Sequence, residues 1–406
     1  MPHTLLSRLP GPDMPHPPFR RIAGLRHPAG VRLARTATLL ALAALPACKG
    51  VGGGGEVTFA LAGPLKQAYG IATRRGAELA VKEINAAGGI DGRQLVLLSR
   101  DDDADAHTAI SIAADLVRDA RVVALAGPVN SGTTIAAAPI YNGESDSVRG
   151  RLPELATTAT SPAVSRLGDW TYRVASSDSA NAVALAATAR GLAPMVAIMY
   201  TNDDYGRGLA GSFRDALVKS GGTVAEYDPF SDSTADFGPY LKRIQQRGVQ
   251  VVFIAGLDAA GERIITQARQ LGLQARFIGG DGLVPLAAKG ATFDGTLVGL
   301  LYHPAAGDRA RAFAEAYRQA YGADPDPFAA AAYDAVNLLA TAAKANGATR
   351  EGIQRYLHSL GRPGGAQPFQ GVTGEIRYDA NGDPEQKAFA VGVIQNGTIQ
   401  LNQAAR

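Results

Sequence analysis

Residues 57–98 read VTFALAGPLKQAYGIATRRGAELAVKEINAAGGIDGRQLVLL. Residues 57–61 are an apolar run of strand length, and a loop through Gly63-Pro64 leads to Tyr69-Gly70. Ala77, Ala80, Val81 and Ile84 then recur at i, i+3, i+4 and i+7, which is one apolar face of a helix. Gly88-Gly89 ends that helix, since glycine takes the left-handed backbone of a helix end without steric cost, and residues 94–98 read as the next strand. Strand, helix and strand in so short a span form a βαβ unit and predict a parallel sheet.

The pattern returns about 130 residues later. Residues 195–200 read as a strand, and Tyr205-Gly206 opens a helix with Leu209, Phe213, Ala216 and Leu217 on one face. Gly221-Gly222 closes it, and residues 223–227 follow as a strand. VVALAG at 122–127 is echoed by VVFIAG at 251–256. The pairs Tyr69/Tyr205, Gly88/Gly221, Val122/Val251 and Pro162/Pro285 are offset by 136, 133, 129 and 123 residues, a register that drifts in one direction. Two α/β lobes of similar doubly wound topology are expected rather than one continuous sheet. Completing them are a strand at 297–302, helices near 309–321, 328–343 and 350–360, and a final pair of strands near 374–378 and 388–394. Asn381-Gly382-Asp383-Pro384 reads as a turn joining that pair, and the polar stretch 142–151 as an exposed insertion.

The chain has 406 residues, a formal charge of +3 and a single cysteine, so no intrachain disulfide or cysteine-built zinc site can form. The positive charge is local. Residues 1–47 hold six arginines against one acid, Asp13, a net +5, which leaves −2 from Cys48 onward. A basic region ending at Arg35, an apolar run from Ala37 to Leu45 and small residues before Cys48 have the layout of a secretory signal; Arg32 and Arg35 would serve equally for a start at Met14. The run is far shorter than the ~20 residues of a spanning helix. Gly52-Gly53-Gly54-Gly55 then reads as a flexible tether, not a phosphate loop, which needs Lys-Ser/Thr after it.

Ligands of open α/β sheets bind beyond the carboxyl ends of the strands, where helix N-termini aim donors outward. The loops so selected are residues 63–69, 127–134, 157–161, 202–205, 256–258 and 279–283. They carry hydroxyls, amides, Tyr69 and Tyr205, and two carboxylates, Asp258 and Asp281, with no basic cluster to hold a phosphate or nucleic acid. Facing lobes so equipped suit a small molecule with both a carboxylate and an ammonium. Ser131 at a helix start suits the carboxylate and Asp281 the ammonium. Each residue also has a plainer reading: Tyr69 and Tyr205 as packing on helix starts, Ser131 and Thr160 as caps, Asp281 as turn chemistry, Phe328 as core. Asp101-Asp102-Asp103 reads as solvated or hinge-paired carboxylates rather than a metal site. From Cys48 on, the histidines are only His107, His303 and His358, without metal-ligand spacing, and no nucleophile elbow occurs.

Leu45-Pro46-Ala47-Cys48 resembles a bacterial lipobox, which implies lipidation of Cys48, although Pro46 is an unusual occupant of its position; a plain signal with an incidental cysteine is the alternative. Nearly the whole chain after Glu56 resembles the type I periplasmic solute-binding proteins of the branched-chain amino acid transporter group. The resemblance is carried by AGPLKQAYG (62–70), GAELAVKEINAAGGIDGRQL (76–95), DDDADAHTA (101–109), AGPVNSGTTIAAAP (126–139), ATSP (159–162), DDYGRGLA (203–210), AYDAV (332–336) and GEIRYDANGD (374–383). It implies two lobes joined by a hinge of three crossovers, closing on the ligand. A signal would span 1–47, a lipidated cysteine and tether 48–55, the first lobe 56–177 and 303–374, and the second lobe 178–302 and 375–406.

Carried over by position, the resemblance implies that Ser131 and Thr160 hold the α-carboxylate and contribute to the ammonium. Thr158 offers its backbone carbonyl, Asp281 is the acidic partner of the ammonium, and Tyr69, Tyr205 and Phe328 supply aromatic walls. Two departures concern the ligand: Asp281 stands where several amino acid binders have a longer glutamate, and Leu257 where an aromatic residue is often found. The expected protein is no enzyme and needs no cofactor, metal or nucleic acid. It is a monomeric lipoprotein in the periplasm or at the cell-envelope surface, anchored to a membrane by lipidated Cys48 and presenting a branched-chain or related amino acid to ABC permease subunits. A ligand-sensing or protein-regulating envelope lipoprotein on the same fold is the alternative.

Overall fold

A computed structural model of the chain describes residues 55–387 and 389–402. The expected signal segment, Cys48 and the glycines up to Gly54 lie outside the described residues. The first strand, β1 (Val57–Gly63), is apolar along its length because both of its faces are covered. Val57, Phe59 and Leu61 enter one core while Ala60 and Ala62 enter another. Beside it lie β2 (Leu95–Asp101), β3 (Val122–Ala126), β4 (Glu154–Ala156) and β5 (Thr171–Arg173), all parallel, in the order β2-β1-β3-β4-β5. Helices α1 (Ala68–Ala86), α2 (Ala106–Arg118) and α3 (Ser131–Tyr141) make the first three connections.

The second lobe repeats the plan. After α4 (Asp178–Leu192) come β6 (Met195–Thr201), α5 (Asp204–Lys219), β7 (Thr223–Phe230), α6 (Gly238–Gln246), β8 (Val251–Ala255), α7 (Asp258–Gln270), β9 (Arg276–Gly279) and β10 (Leu297–Leu300). The parallel order β7-β6-β8-β9-β10 matches the first sheet strand for strand. The echoed VVALAG and VVFIAG are the corresponding strands β3 and β8. Alternate residues of β6 and β8 again face opposite cores: Met199, Val252 and Ile254 toward α6 and α7, Ile198, Val251 and Phe253 toward α4 and α5. Phe213 of α5 stacks on Phe253 at 3.6 Å.

The chain then returns to the first lobe as α8 (Asp308–Tyr321), α9 (Pro327–Asn346) and α10 (Arg350–Ser359). Helix α9 lies so close along α1 that a Cβ on Gly76 would sit 2.0 Å from the Ala329 carbonyl oxygen. Arg350 donates to the carbonyls of Leu116, Val117, Asp119, Val122 and Arg151, closing the C-terminal end of α2.

The end of the chain departs from expectation. Strands β11 (Phe369–Gly371) and β12 (Gly374–Ile376) pair with each other in a separate hairpin, and β13 (Ala390–Gln395) pairs with β14 (Thr398–Leu401) and β10 at the edge of the second sheet. Residues 374–378 and 388–394 are therefore not partners. Ile376 and Tyr378, beyond the expected lobe boundary at 375, pack in the core under β1, because Asp334 of α9 fastens the hairpin there. Its carboxylate accepts from the N–H groups of Val372 and Thr373, each at 2.8 Å, and from the Thr373 hydroxyl at 2.5 Å. The stretch 142–151 is exposed apart from buried Asn142 and Val148 and half-buried Ser145; Asn142 is pinned by Ala138, Trp170 and Thr171.

Replacing Asp334 by Ala strands two buried N–H groups and is expected to lower the unfolding free energy by ~2–5 kcal/mol. Urea denaturation followed by circular dichroism checks this.

Candidate functional site

In a sheet of order 2-1-3 the crevice at the switch of direction opens beyond the ends of the first and third strands. Here those strands are β1 and β3 in one lobe, β6 and β8 in the other. The loops at that end of both sheets, with the start of α9, surround a cavity of about 390 Å³, lined by Ser131, Thr158, Tyr205, Leu257, Asp281 and Phe328 among others. Six of the eight ligand residues expected from sequence thus line one cavity.

From the first lobe, α3 points its N-terminus at the cavity, with Asn130, Ser131, Gly132 and Thr133 on the lining. The first-turn N–H groups of a helix have no carbonyl partner within it and carry the positive end of the helix dipole. The Asn130 side chain does not cap them; its amide donates to the Tyr69 hydroxyl at 3.1 Å. Ser131 accepts at Oγ from the Ser161 N–H at 3.2 Å, and Thr158 Oγ1 donates to the Val129 carbonyl, so the α3 start and the loop after β4 are tied together.

The second lobe supplies carboxylates. Asp281 follows β9 and is 6% exposed. The Tyr205 hydroxyl donates to its Oδ1 at 3.2 Å and accepts from the Gly282 N–H at 3.3 Å. Burial pushes the Asp281 carboxyl up to about 6, against the lowering effect of those hydrogen bonds. Burial likewise raises Tyr205 well above 10, with the Asp281 charge adding to it. Asp203, Asp204 and Asp232 also line this wall; Arg207, the one basic residue on the lining among the described residues, is bound to Asp204 at 2.7 Å. Asp258, the other acid singled out from sequence, is paired with Lys289 at 2.5 Å.

Two expected residues lie outside the lining. Tyr69 is buried behind it, against Val129 and Phe328, its ring centroid 5.1 Å from that of Phe328. Burial raises its hydroxyl to about 12. Thr160 is fully buried and donates from Oγ1 to Asp178 Oδ2 at 3.0 Å, while the Asp178 N–H donates to its carbonyl at 2.8 Å. Asp178 opens α4, so this reciprocal pair joins the two lobes at the first crossover. Nothing in the local pattern around Asp178 marked it. Asn130, one residue before the expected helix start, was within reach of a capping argument.

The acidic triplet that begins at the last residue of β2 differs from its expectation at its centre. Asp101 is paired with Lys66 at 2.7 Å, but Asp102 is fully buried, accepts from the Ala104 N–H and is raised by burial to about 6. It faces inward because Asp103 and Ala104 both take positive φ, reversing the chain around it. Among the described residues no group of three or more His, Cys, Asp or Glu side chains could hold a metal ion.

Two lobes of like topology, facing each other across a small cavity with donors on one wall and acids on the other, define a two-lobed solute-binding protein. Residues 57–398 match the periplasmic binding protein family model. The Leu/Ile/Val-binding protein homolog 1 of Brucella suis biovar 1 is 30% identical over 340 residues, 81% of this chain and 87% of that protein. An ABC transporter substrate-binding protein from Desulfitobacterium hafniense in complex with Leu has 30% identity and a TM-score of 0.72, covering 86% of this chain and 100% of the other. The branched-chain amino acid transporter substrate-binding protein LivJ from Streptococcus pneumoniae in complex with isoleucine has 27% identity and a TM-score of 0.73, over 85% of this chain and 98% of that one. The chain belongs to the periplasmic binding protein family. Such proteins bind solutes and are not enzymes.

The Asp281 carboxyl, ordinarily near 3.8, titrates near 6 in the fold, so the folded protein holds its proton more tightly than the unfolded chain does. Stability contributed by this group is lost as pH rises from about 4 to about 6 and stays lost above. Asp281→Asn is therefore expected to stabilise the ligand-free protein at pH 7.5 by up to ~3 kcal/mol, with the gain vanishing toward pH 4. Urea melts of both proteins across that range test it.

Proposed function

We propose that this chain is the solute-binding component of an ABC importer, capturing a small α-amino acid of the branched-chain or a related class between lobes that close by hinge motion. The observation that carries this reading is the opposed chemistry of the cavity walls: a helix N-terminus with Ser131 on one side, Asp281 with Tyr205 on the other. The α-carboxylate sits at the start of α3, where N–H groups lack partners. The ammonium meets Asp281, with the Thr158 carbonyl as a further acceptor, and Leu257 and Phe328 bound the side chain. Both charges lose water on closure, which strengthens their pairing, and micromolar affinity requires only about −8 kcal/mol. The relatives named for Leu, Ile and Val support the ligand class. Thr160, turned to Asp178, serves by holding its loop and by lobe-to-lobe contact.

The sequence around Cys48 supports export and anchoring at the outer face of a membrane by a lipid on that residue, with residues 49–55 as tether. The partner is then a pair of permease subunits in the same membrane, and the importer draws its energy from the associated ATPase.

Isothermal titration of protein stripped of ligand by unfolding and refolding should give saturable binding for at least one of L-leucine, L-isoleucine and L-valine. Absence of binding by every α-amino acid tried would sink the reading. Asp281→Ala is expected to weaken amino acid binding by about a hundredfold or more, and to spare binding of a simple carboxylate such as isovalerate. Equal loss of both would show that Asp281 does not serve the ammonium. Cys48→Ser is expected to abolish incorporation of labelled palmitate and to move the protein from the membrane fraction to the soluble one.

A further inference from the structure

Helix α5 carries three glycines at 206, 208 and 211, although each costs about 1 kcal/mol relative to alanine inside a helix. Their surroundings differ. A Cβ on Gly206 would lie 2.1 Å from the Thr201 carbonyl oxygen of the same lobe, where the chain turns from β6 into α5. At Gly211 nothing lies within 4 Å of that position. At Gly208 the neighbours belong to the other lobe: Ser161 Oγ at 2.7 Å and Pro162 Cδ at 2.9 Å. Nearby, a Cβ on Gly132 at the α3 start would meet Asp204 Oδ2 of α5 at 3.8 Å, so the same seam runs past the cavity mouth.

The surface that Gly208 meets is held in place. Pro162 is a rigid ring, and the Ser161 side chain is a single short arm. The loop behind them is clamped by Arg173, none of whose surface is exposed. Its guanidinium donates to the carbonyls of Ala159 and Ser161 at 3.3 and 3.0 Å and to Ser165 Oγ at 2.7 Å, and its Nε lies 2.7 Å from Asp383 Oδ1. On the other side α5 is held by Leu209 and Phe213 in the core under β6 and β8. An added methyl at 208 therefore has to displace one lobe from the other.

We infer that Gly208 is a positioning residue for solute capture: its missing side chain lets α5 seat against Ser161-Pro162, and a larger residue there holds the lobes apart. This rests on the binding reading above. Gly208 is not on the lining of the cavity, so its effect travels through the seam, and overpacking at that contact sets its size.

The test is titration of L-leucine into full-length protein carrying Gly208→Ala, Gly208→Val or Gly211→Ala. Gly208→Ala is expected to weaken leucine binding about tenfold and Gly208→Val further, while Gly211→Ala leaves it unchanged. Because alanine favours helix over glycine, both alanine variants should melt, ligand-free, no lower than the parent; a merely structural lesion at 208 would lower that temperature instead. Under saturating leucine, Gly208→Val should also show a larger radius of gyration by small-angle scattering than the parent. Unchanged leucine affinity in Gly208→Val, or a loss shared by Gly211→Ala, would overturn the inference. Failure of the unsubstituted protein to bind leucine or any other amino acid would instead overturn the binding reading on which it stands.

Discussion

A fully buried guanidinium must find acceptors inside the protein, since an unpaired charge there costs several kcal/mol. Arg173 meets that demand by gathering the loop after β4 and the loop before β13 around itself. Most of the site depends on the result. The gathered loop fixes Ser161, whose N–H holds the Ser131 hydroxyl at the α3 start, and Thr160, whose hydroxyl holds Asp178 at the α4 start. A charge at the end of β5 thus sets where the first lobe's helix N-terminus points and how the second lobe leaves the first crossover.

The cavity walls divide their chemistry by lobe. The first lobe offers backbone N–H groups and hydroxyls; the second offers Asp281, Asp203, Asp204 and Asp232 against one arginine already engaged. A molecule with separated opposite charges bridges such walls, and one with a single charge satisfies only one of them. Burial raises the Asp281 carboxyl to about 6, and a cation placed beside it would favour its ionised form.

Much of this was legible in the chain. The faces of α1 and α5, the paired glycines that end them and the echo of β3 in β8 are local periodicities, and burial enforces them wherever the helix or strand is placed. Ser131, Thr158, Tyr205, Leu257 and Asp281 stand beyond strand ends, where a doubly wound sheet puts its ligand loops, so topology sufficed to bring them to one cavity, which Phe328 enters from the start of α9. Tyr69 and Thr160 stand at strand ends too, yet Asn130 and Asp178 engage their hydroxyls, and no spacing in the sequence announces such long-range partners. The pairing of residues 374–378 departs from expectation for a related reason. Alternation marks a strand but not its partner, and a buried carboxylate on α9, some forty residues earlier, made the choice.

The amino-acid sequence by itself determined two α/β lobes of one topology, the loops that carry ligand chemistry and a basic, apolar leading segment with one cysteine after it. Those are properties of local pattern and composition, which hold before any contact forms. Only the tertiary structure decided which hydroxyls face the cavity, which acid is neutralised by Lys289 and which is not, where the last strands pair, and how closely α5 approaches Pro162. Each of these turns on distances of a few ångströms between residues far apart in the chain, and such distances exist only once both lobes have packed.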